Sequence, residues 1–342
     1  MSLTQTDTPS TSQSASQSVL RPDRIFEPSP DFRDKFNRLP FMYSHYLADH
    51  PLMQLPRLVE LANTLIQYGP GSIRCQASKM PKHLKWTDAT LKEDLQEKLP
   101  EFIANIEHSE SWLLLYSVQR DPEYRALVDQ IIDELEQLTG QPLRQEMSWM
   151  DAYIFIASPC AVTSYHIDHE STFLMQMHGD RTSNLFDGND RSILTDEELE
   201  NFYIGDLTAA TYSDAKQAKA YVYPITAGKG VHHPVCAPHW YQNREQYSIA
   251  LGIHFDFKSD DLRARVHQAN YYLRKLGLKP TPPGQSAFKD SLKIKLIGLF
   301  SDRSPKTKSD VLYSGIRRLR GIATKMAHTF TFFAKASDSL KL

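Results

Sequence analysis

Two histidines and an aspartate have the types and the spacing of a metal-binding triad. His166 and Asp168 lie two residues apart, and side chains two apart on a β-strand point to the same face of the sheet. His239, far along the chain, supplies a second imidazole. Two imidazoles and one carboxylate leave coordination positions open on the ion, which is typical of non-haem Fe(II) oxygenases, although Zn(II) accepts the same ligands.

The choice of these three residues depends on what surrounds each one. A second H-x-D pattern occurs at His254-Phe255-Asp256, but the next histidine, His267, falls on a predicted helix directly after it. The distal ligand must come from His232, His233 or His239. Because adjacent strand residues point to opposite faces, at most one of His232 and His233 faces a cavity. We favour His239, which follows a proline at the end of a predicted strand.

Short alternating strands with turn signals between them fill the middle of the chain, and helical spacing dominates on both sides. This pattern predicts a mainly β protein with flanking helices, in which a jelly-roll barrel buries the strands. The expected divisions are a disordered leader (1–18), a helix-rich part packing on the barrel (19–144), the barrel core (145–258), and C-terminal helices with a basic tail (259–342). The strands are predicted at Trp112–Val118, Asp151–Ala157, Ser164–His169, Thr172–His178, Ala220–Ile225, His232–Val235 and Tyr247–Phe257. Helices are predicted at Leu47–Gln67, Ala89–Ile106, Pro122–Leu138, Ser259–Leu276, Leu292–Phe300 and Val311–Phe333.

The last predicted strand separates small from bulky side chains. Alternation places a small or polar set on one face, which we expect to line a cavity, and a bulky set on the other, which we expect to pack under the helices. The first set is Ser248, Ala250, Gly252 and His254, and the second is Tyr247, Ile249, Leu251, Ile253, Phe255 and Phe257.

Two segments carry a resemblance to a known family. The run from Val162 to Arg181, which includes the H-x-D pair, resembles the JmjC and cupin-like hydroxylases, and within them is similar to the asparaginyl hydroxylase that acts on hypoxia-inducible factor. The run from Gly228 to Pro234 is similar to that family's turn before its distal histidine. The resemblance implies a double-stranded β-helix that binds Fe(II), takes 2-oxoglutarate as cosubstrate with O2, and hydroxylates a peptide side chain or a small metabolite.

The resemblance also implies roles for four further residues. Thr163 matches a threonine that binds the 2-oxoglutarate carboxylate. Arg181 stands where the family commonly has a lysine for the distal carboxylate, and the planar guanidinium binds a carboxylate with a different geometry. Arg181 as a surface cation is the alternative. Thr172 and His254 stand where the hypoxia-factor hydroxylase has asparagines facing the metal. His254 is expected either to contact the cosubstrate or to be a satisfied interior histidine.

Composition limits the partners. The formal net charge is −2, yet the segment 280–342 carries 12 Lys and Arg against 4 Asp and Glu. Such a tail either binds an anion or packs on the acidic body. It has no aromatic-basic motif of an RNA-binding module, which argues against a nucleic-acid partner.

The remaining features concern location and assembly. No apolar run reaches the roughly 18–20 residues of a membrane span. Three widely spaced cysteines suit a reducing compartment, so we expect a cytoplasmic protein. A homodimer through the C-terminal helices is one expected assembly. A cupin-like regulatory protein that binds a metal or a small acid without turnover remains the alternative to an enzyme.

Overall fold

The computed structural model of the chain describes residues 24–77 and 98–321. The predicted leader (1–18), the first half of the predicted helix Ala89–Ile106 and the end of the predicted helix Val311–Phe333 lie outside these ranges. In the described ranges the strands are β1 (Phe41–Ser44), β2 (Ile73–Ala77), β3 (Ser111–Leu115), β4 (Met147–Ala157), β5 (Val162–His166), β6 (Ser171–His178), β7 (Arg181–Leu185), β8 (Tyr221–Ile225), β9 (Lys229–His233), β10 (His239–Asn243) and β11 (Ser248–Phe257).

Helices precede, interrupt and follow these strands. They are α1 (Asp31–Asp34), α2 (Leu55–Ile66), α3 (Leu99–Ala104), α4 (Pro122–Thr139), α5 (Leu143–Glu146), α6 (Asp196–Tyr203), α7 (Asp214–Gln217), α8 (Lys258–Lys275) and α9 (Ala287–Gly298), followed by a helical segment at 308–321 that we call α10. None of the helices in these ranges has the length and apolar character needed to cross a bilayer.

The strands form two antiparallel sheets that face each other. The large sheet has the order β1-β9-β6-β11-β4-β3-β2, and the small sheet has the order β5-β10-β7-β8. Side chains from both sheets meet in one buried cluster, with Leu174, Val231 and Ala250 from the large sheet and Leu185, Ile225 and Tyr241 from the small one. The space between the sheets is therefore enclosed on both faces.

β11 confirms the predicted separation of small and bulky side chains. Ile249, Leu251, Ile253, Phe255 and Phe257 all belong to the main hydrophobic core, which also contains the buried faces of α2 and α4. The opposite face, with Ala250, Gly252 and His254, points to the space between the sheets. The small residues leave room there for a cavity.

The N-terminal part contributes strands as well as helices. β1 pairs with β9, and β3 pairs with β4, so three strands that precede residue 145 extend the large sheet. α4 is held at its start by Asp121, whose carboxylate accepts hydrogen bonds from the backbone N–H groups of Glu123 and Tyr124. It ends at Gly140, whose φ of 68° is the left-handed conformation expected of a C-terminal glycine.

The predicted strand Ser164–His169 is too long at its C-terminal end. β5 ends at His166, and Asp168 lies in the loop that follows. The backbone N–H of Cys236 donates to the carbonyl of Asp168 at 2.9 Å, so this loop binds to the connection before β10 rather than continuing a sheet.

Gly230 should tolerate no side chain. A Cβ there would lie 2.5 Å from the ring of Tyr43 and 2.6 Å from the carbonyl oxygen of Leu174. Gly230→Ala is expected to lower the free energy of unfolding by about 1–3 kcal/mol through overpacking. Gly71→Ala, where a Cβ meets nothing within 4 Å, is the matched control and should change stability little. Urea denaturation of both variants measures the difference, and equal stabilities would contradict the close packing of β1 on β9.

Candidate metal centre and cavity

The three residues of the sequence triad meet at one end of the space between the sheets. His166 ends β5, Asp168 lies in the next loop, and His239 begins β10. One ligand atom from each of the three lies within 4.8 Å of the others. His166 and His239 are directly opposite each other in the β5–β10 pairing, which places two imidazoles side by side.

Hydrogen bonds fix which nitrogen of each imidazole is free. Nδ1 of His166 donates to the carbonyl of Ser164 at 2.7 Å, and Nδ1 of His239 donates to the carbonyl of Ala237 at 3.0 Å. Because a carbonyl can only accept, each Nδ1 carries the proton and each Nε2 presents its lone pair. Both Nε2 atoms face Oδ2 of Asp168, at 3.5 Å and 3.6 Å.

These separations suit ligands that share an ion. They are longer than hydrogen bonds. Two ligand atoms that are each about 2.1 Å from one ion, at about 90–110° to one another, lie about 3.0–3.4 Å apart. The donor atoms are therefore close to the spacing that a bound metal requires.

The charges of the triad depend on one another. Burial alone would raise the pKa of Asp168, but the neighbouring imidazole of His166 holds that pKa well below its usual range. Conversely, burial would lower the pKa of His166, and the Asp168 carboxylate raises it. Burial and the positive field of His166 lower the pKa of His239 to about 4. The centre therefore presents an ionised carboxylate and at least one neutral imidazole near neutral pH.

The structure separates the three candidates for the distal histidine. His232 points away from the centre, with Nε2 accepting from the backbone N–H of Asn37 and Nδ1 donating to the carbonyl of Thr172. His233 faces the cavity, and its ring centre lies 4.3 Å from that of His239, but it is not part of the group whose ligand atoms converge.

The cavity beside the centre has a volume of about 470 Å³. Its wall includes Arg181, one of the residues predicted from the sequence, and this residue is only 5% exposed, so it is not a surface cation. Its Nε donates to Oε1 of Gln176 at 2.6 Å, and its Cζ lies 5.4 Å from the centre of the Tyr241 ring. In the described part of the chain, no carboxylate lies within 4.0 Å of it, and burial lowers its pKa to about 10.

The other three predicted residues also line this cavity. Thr163 accepts a hydrogen bond from Nε1 of Trp112 at 3.1 Å, which leaves its own hydroxyl proton free to donate. Thr172 and His254 bind each other, with 3.0 Å between Oγ1 and Nδ1. The other nitrogen of His254, Nε2, is buried and has no hydrogen-bond partner within residues 24–77 and 98–321, so only one of its two ring nitrogens is satisfied there.

An irregularity in β5 makes the position of Thr163 possible. His166 pairs with His239, while Thr163 pairs with Tyr241, so two residues of β5 stand opposite Trp240 alone. This β-bulge turns His166 and Thr163, three residues apart, to the same side of the sheet.

Sequence reasoning missed a buried ion cluster at the mouth of the cavity. Lys308, at the start of α10, pairs with Glu170 and lies 3.2 Å from Asp256. The side chains of Glu170 and Asp256 are only 12% and 3% exposed. α10 forms part of the cavity wall through Lys308, Ser309, Leu312 and Tyr313. No local pattern could have shown this, since the three charged residues are widely separated in the chain.

Gln176 and Tyr241 were also missed, although the sequence held a signal for each. Gln176 is the one amide in the apolar run Phe173–Met177 of a buried strand. Tyr241 lies two residues after His239, so on a strand it shares the face of the metal donor.

Fold and donor set together define an antiparallel two-sheet protein with a candidate metal centre. The chain matches no family model and no curated protein sequence. Among solved structures it is similar to YcfD of Escherichia coli, with 14% identity and a TM-score of 0.44 over 88% of this chain and 69% of that one.

Two further solved structures can be named. One is YcfD, described as a ribosomal oxygenase, in complex with cobalt and 2-oxoglutarate, at 13% identity and a TM-score of 0.42 over 89% of this chain and 67% of that one. The other is an RmlC-like cupin from Shewanella frigidimarina, at 12% identity and a TM-score of 0.21 over 32% of this chain and 69% of that one.

Lys308→Met should destabilise the protein in a pH-dependent way. At pH 8 the substitution leaves the buried carboxylates of Glu170 and Asp256 without their cation. This is expected to lower the free energy of unfolding by about 3 kcal/mol. Burial already raises the pKa of Asp256 to about 6. A group whose pKa is raised by folding gives stability that is present at low pH and lost as the pH rises through the folded pKa. The difference in free energy of unfolding between Lys308→Met and wild type should therefore be smaller at pH 5 than at pH 8.

Lys295→Met is the matched control for this substitution. Lys295 lies on the neighbouring helix α9 and is exposed. Chemical denaturation at the two pH values should show little change in this variant. A Lys308→Met protein as stable as wild type at pH 8 would show that the ion cluster does not hold α10 in place.

Proposed function

We propose that the chain is an Fe(II)- and 2-oxoglutarate-dependent oxygenase built on a double-stranded β-helix, with His166, Asp168 and His239 as the metal ligands. One observation carries the proposal. A single cavity between the two sheets is lined by three convergent metal donors and by a buried arginine that has no counter-ion among the described residues.

The donor set suits Fe(II). Two imidazole nitrogens and one carboxylate oxygen converge from one side, because the donors come from β5, its following loop and the start of β10. This arrangement leaves the cavity side open for other ligands. When bound, an Fe(II) ion with 2-oxoglutarate supplies the oxidising chemistry of this class of enzyme.

The cavity also suits an anionic cosubstrate. Arg181 is a buried cation that lacks a carboxylate partner in the described ranges, and such a charge is costly unless an anion pairs with it. Its planar guanidinium can bind the distal carboxylate of 2-oxoglutarate through two N–H donors. Thr163 has a hydroxyl proton to donate to the same ligand, and His254 lines the same cavity.

The substrate is a peptide side chain or a small metabolite. The cavity volume of about 470 Å³ falls within the range of about 300–1,000 Å³ that is typical of small-molecule sites. It therefore has room for a substrate group beside the cosubstrate. The aromatic side chains of Trp112, Tyr153 and Phe155 line the wall on the large sheet, and α10 covers part of the mouth, which limits the access of water.

The cytoplasmic location and the homodimer remain predictions. The C-terminal helices and their connections expose several large apolar residues, among them Leu276, Leu278, Phe288, Leu292, Leu296 and Leu299. Leu262 on α8 is itself 42% exposed.

Removing any one metal ligand should abolish stoichiometric metal binding. His166→Ala, Asp168→Ala and His239→Ala each leave two donors, and the affinity for Fe(II) or Co(II) should fall beyond detection in a calorimetric titration. His233→Ala is the control, because this histidine lies beside the centre but outside the converging group. If His239→Ala kept full metal content and His233→Ala lost it, the distal ligand would be His233.

Arg181→Ala should raise the 2-oxoglutarate concentration needed for half-maximal turnover by at least about tenfold, which corresponds to about 1.4 kcal/mol. The reason is the loss of a charge-assisted, two-donor contact in a buried site. Metal binding should not change, and Arg181→Lys should restore part of the affinity. The measurement is succinate release from 2-oxoglutarate with Fe(II), ascorbate and O2.

Arg125→Ala, an exposed arginine of α4, is the matched control for this assay. An unchanged requirement for 2-oxoglutarate in Arg181→Ala would remove Arg181 from the site. Wild-type protein that binds metal and 2-oxoglutarate but releases no succinate would favour the regulatory protein that is the alternative to an enzyme.

A further inference from the structure

Gln176 is a buried amide with every polar atom in use. It lies on β6, is 0% exposed, and its Nε2 donates towards the carbonyls of His178 and Gly179 and the hydroxyl of Ser248, at 2.6 Å, 3.1 Å and 3.0 Å. Its Oε1 accepts from Nε of Arg181 at 2.6 Å. The two carbonyls can only accept, so the amide nitrogen must face them and the amide oxygen must face the arginine.

A bulge in β6 directs this side chain between the sheets. His178 pairs with Ile249, and Gln176 pairs with Ala250, so Met177 has no partner of its own. Because Ala250 is small, Gln176 can reach across to Arg181 on the small sheet. The contact between the two residues therefore joins the sheets behind the cavity.

The partner of Arg181 is neutral, and this has a consequence for ligand binding. Among the described residues, the Nη groups of Arg181 have no hydrogen-bond acceptor, and the only side-chain hydrogen bond of the guanidinium is the one from Nε to the amide of Gln176. A carboxylate at position 176 would orient the arginine equally well, but it would cancel the charge. An amide orients the arginine and leaves its charge for a ligand.

We propose that Gln176 is a positioning residue that holds Arg181 as an uncompensated cation, and that it thereby makes the cavity select 2-oxo acids with a second carboxylate over those without one. This inference rests on the proposed 2-oxoglutarate site. Gln176 itself touches no ligand in this scheme and acts through Arg181. Its bonds to His178 and Gly179 also support the turn between β6 and β7, so the test must separate positioning from turn stability.

Two variants isolate the charge. Gln176→Met and Gln176→Glu both lose the two donated N–H bonds to the turn, but only Gln176→Glu places a negative charge beside Arg181. Binding of 2-oxoglutarate and of 2-oxobutyrate, which lacks the distal carboxylate, is measured by calorimetry with Co(II)-loaded protein. Gln176→Glu is expected to bind 2-oxoglutarate at least about tenfold more weakly than Gln176→Met, a difference of about 1.4 kcal/mol.

A second comparison keeps the proposal falsifiable if Gln176→Glu fails to fold. Gln176→Met should lose affinity for 2-oxoglutarate while its affinity for 2-oxobutyrate stays at the wild-type value, since only the distal carboxylate uses Arg181. Equal losses for the two acids, or equal 2-oxoglutarate affinities in the Met and Glu variants, would overturn the role of Gln176 alone. Wild-type protein that binds Co(II) but no 2-oxoglutarate would overturn the proposed function and this inference with it.

Discussion

The pairing of β10 with its two neighbours is the constraint on which the rest of the cavity depends. β10 is flanked by β5 on one side and β7 on the other, so its register sets His239 opposite His166 and Tyr241 opposite Thr163. A slip of one residue would turn Trp240 towards the cavity and take the distal imidazole out of it. The same strand therefore fixes the metal donors and the ring that lies under Arg181.

Buried charges in this cavity are stabilised in three different ways. The Asp168 carboxylate lies between two imidazoles, Lys308 lies between two carboxylates, and Arg181 is held by a neutral amide. The first two clusters carry their own compensation, whereas the third does not. An ion without a counter-charge in a low-dielectric site costs free energy. A charged ligand therefore stabilises the protein most where it pairs with such an ion, which in this cavity is Arg181.

Much of this arrangement was readable from the sequence. Six of the eight strands from β4 to β11 followed from alternation and turn signals, but β7 and β10 were not predicted. The apolar face of β11 packs on the helices as its pattern predicted. Convergence of His166, Asp168 and His239 also agreed with expectation. The bulges in β5 and β6 could not be predicted, because a bulge depends on the register of the partner strand. Lys308 was missed for a related reason: its partners are set by how α10 docks, which no local pattern encodes.

The docking of α10 also has a consequence for the order in which the protein becomes functional. The metal donors end at His239 and the last strand ends at Phe257, so the two sheets can form as soon as that part of the chain has left the ribosome. The wall and the cation at the cavity mouth come from residues 308–313. A nascent chain that ends before residue 308 can bring the candidate metal donors together, but it lacks the part of the cavity wall that α10 supplies. In such a chain Glu170 and Asp256 also lack their lysine partner. Completion of the cavity wall is therefore one of the last events in the biosynthesis of the part of the chain that the structure describes.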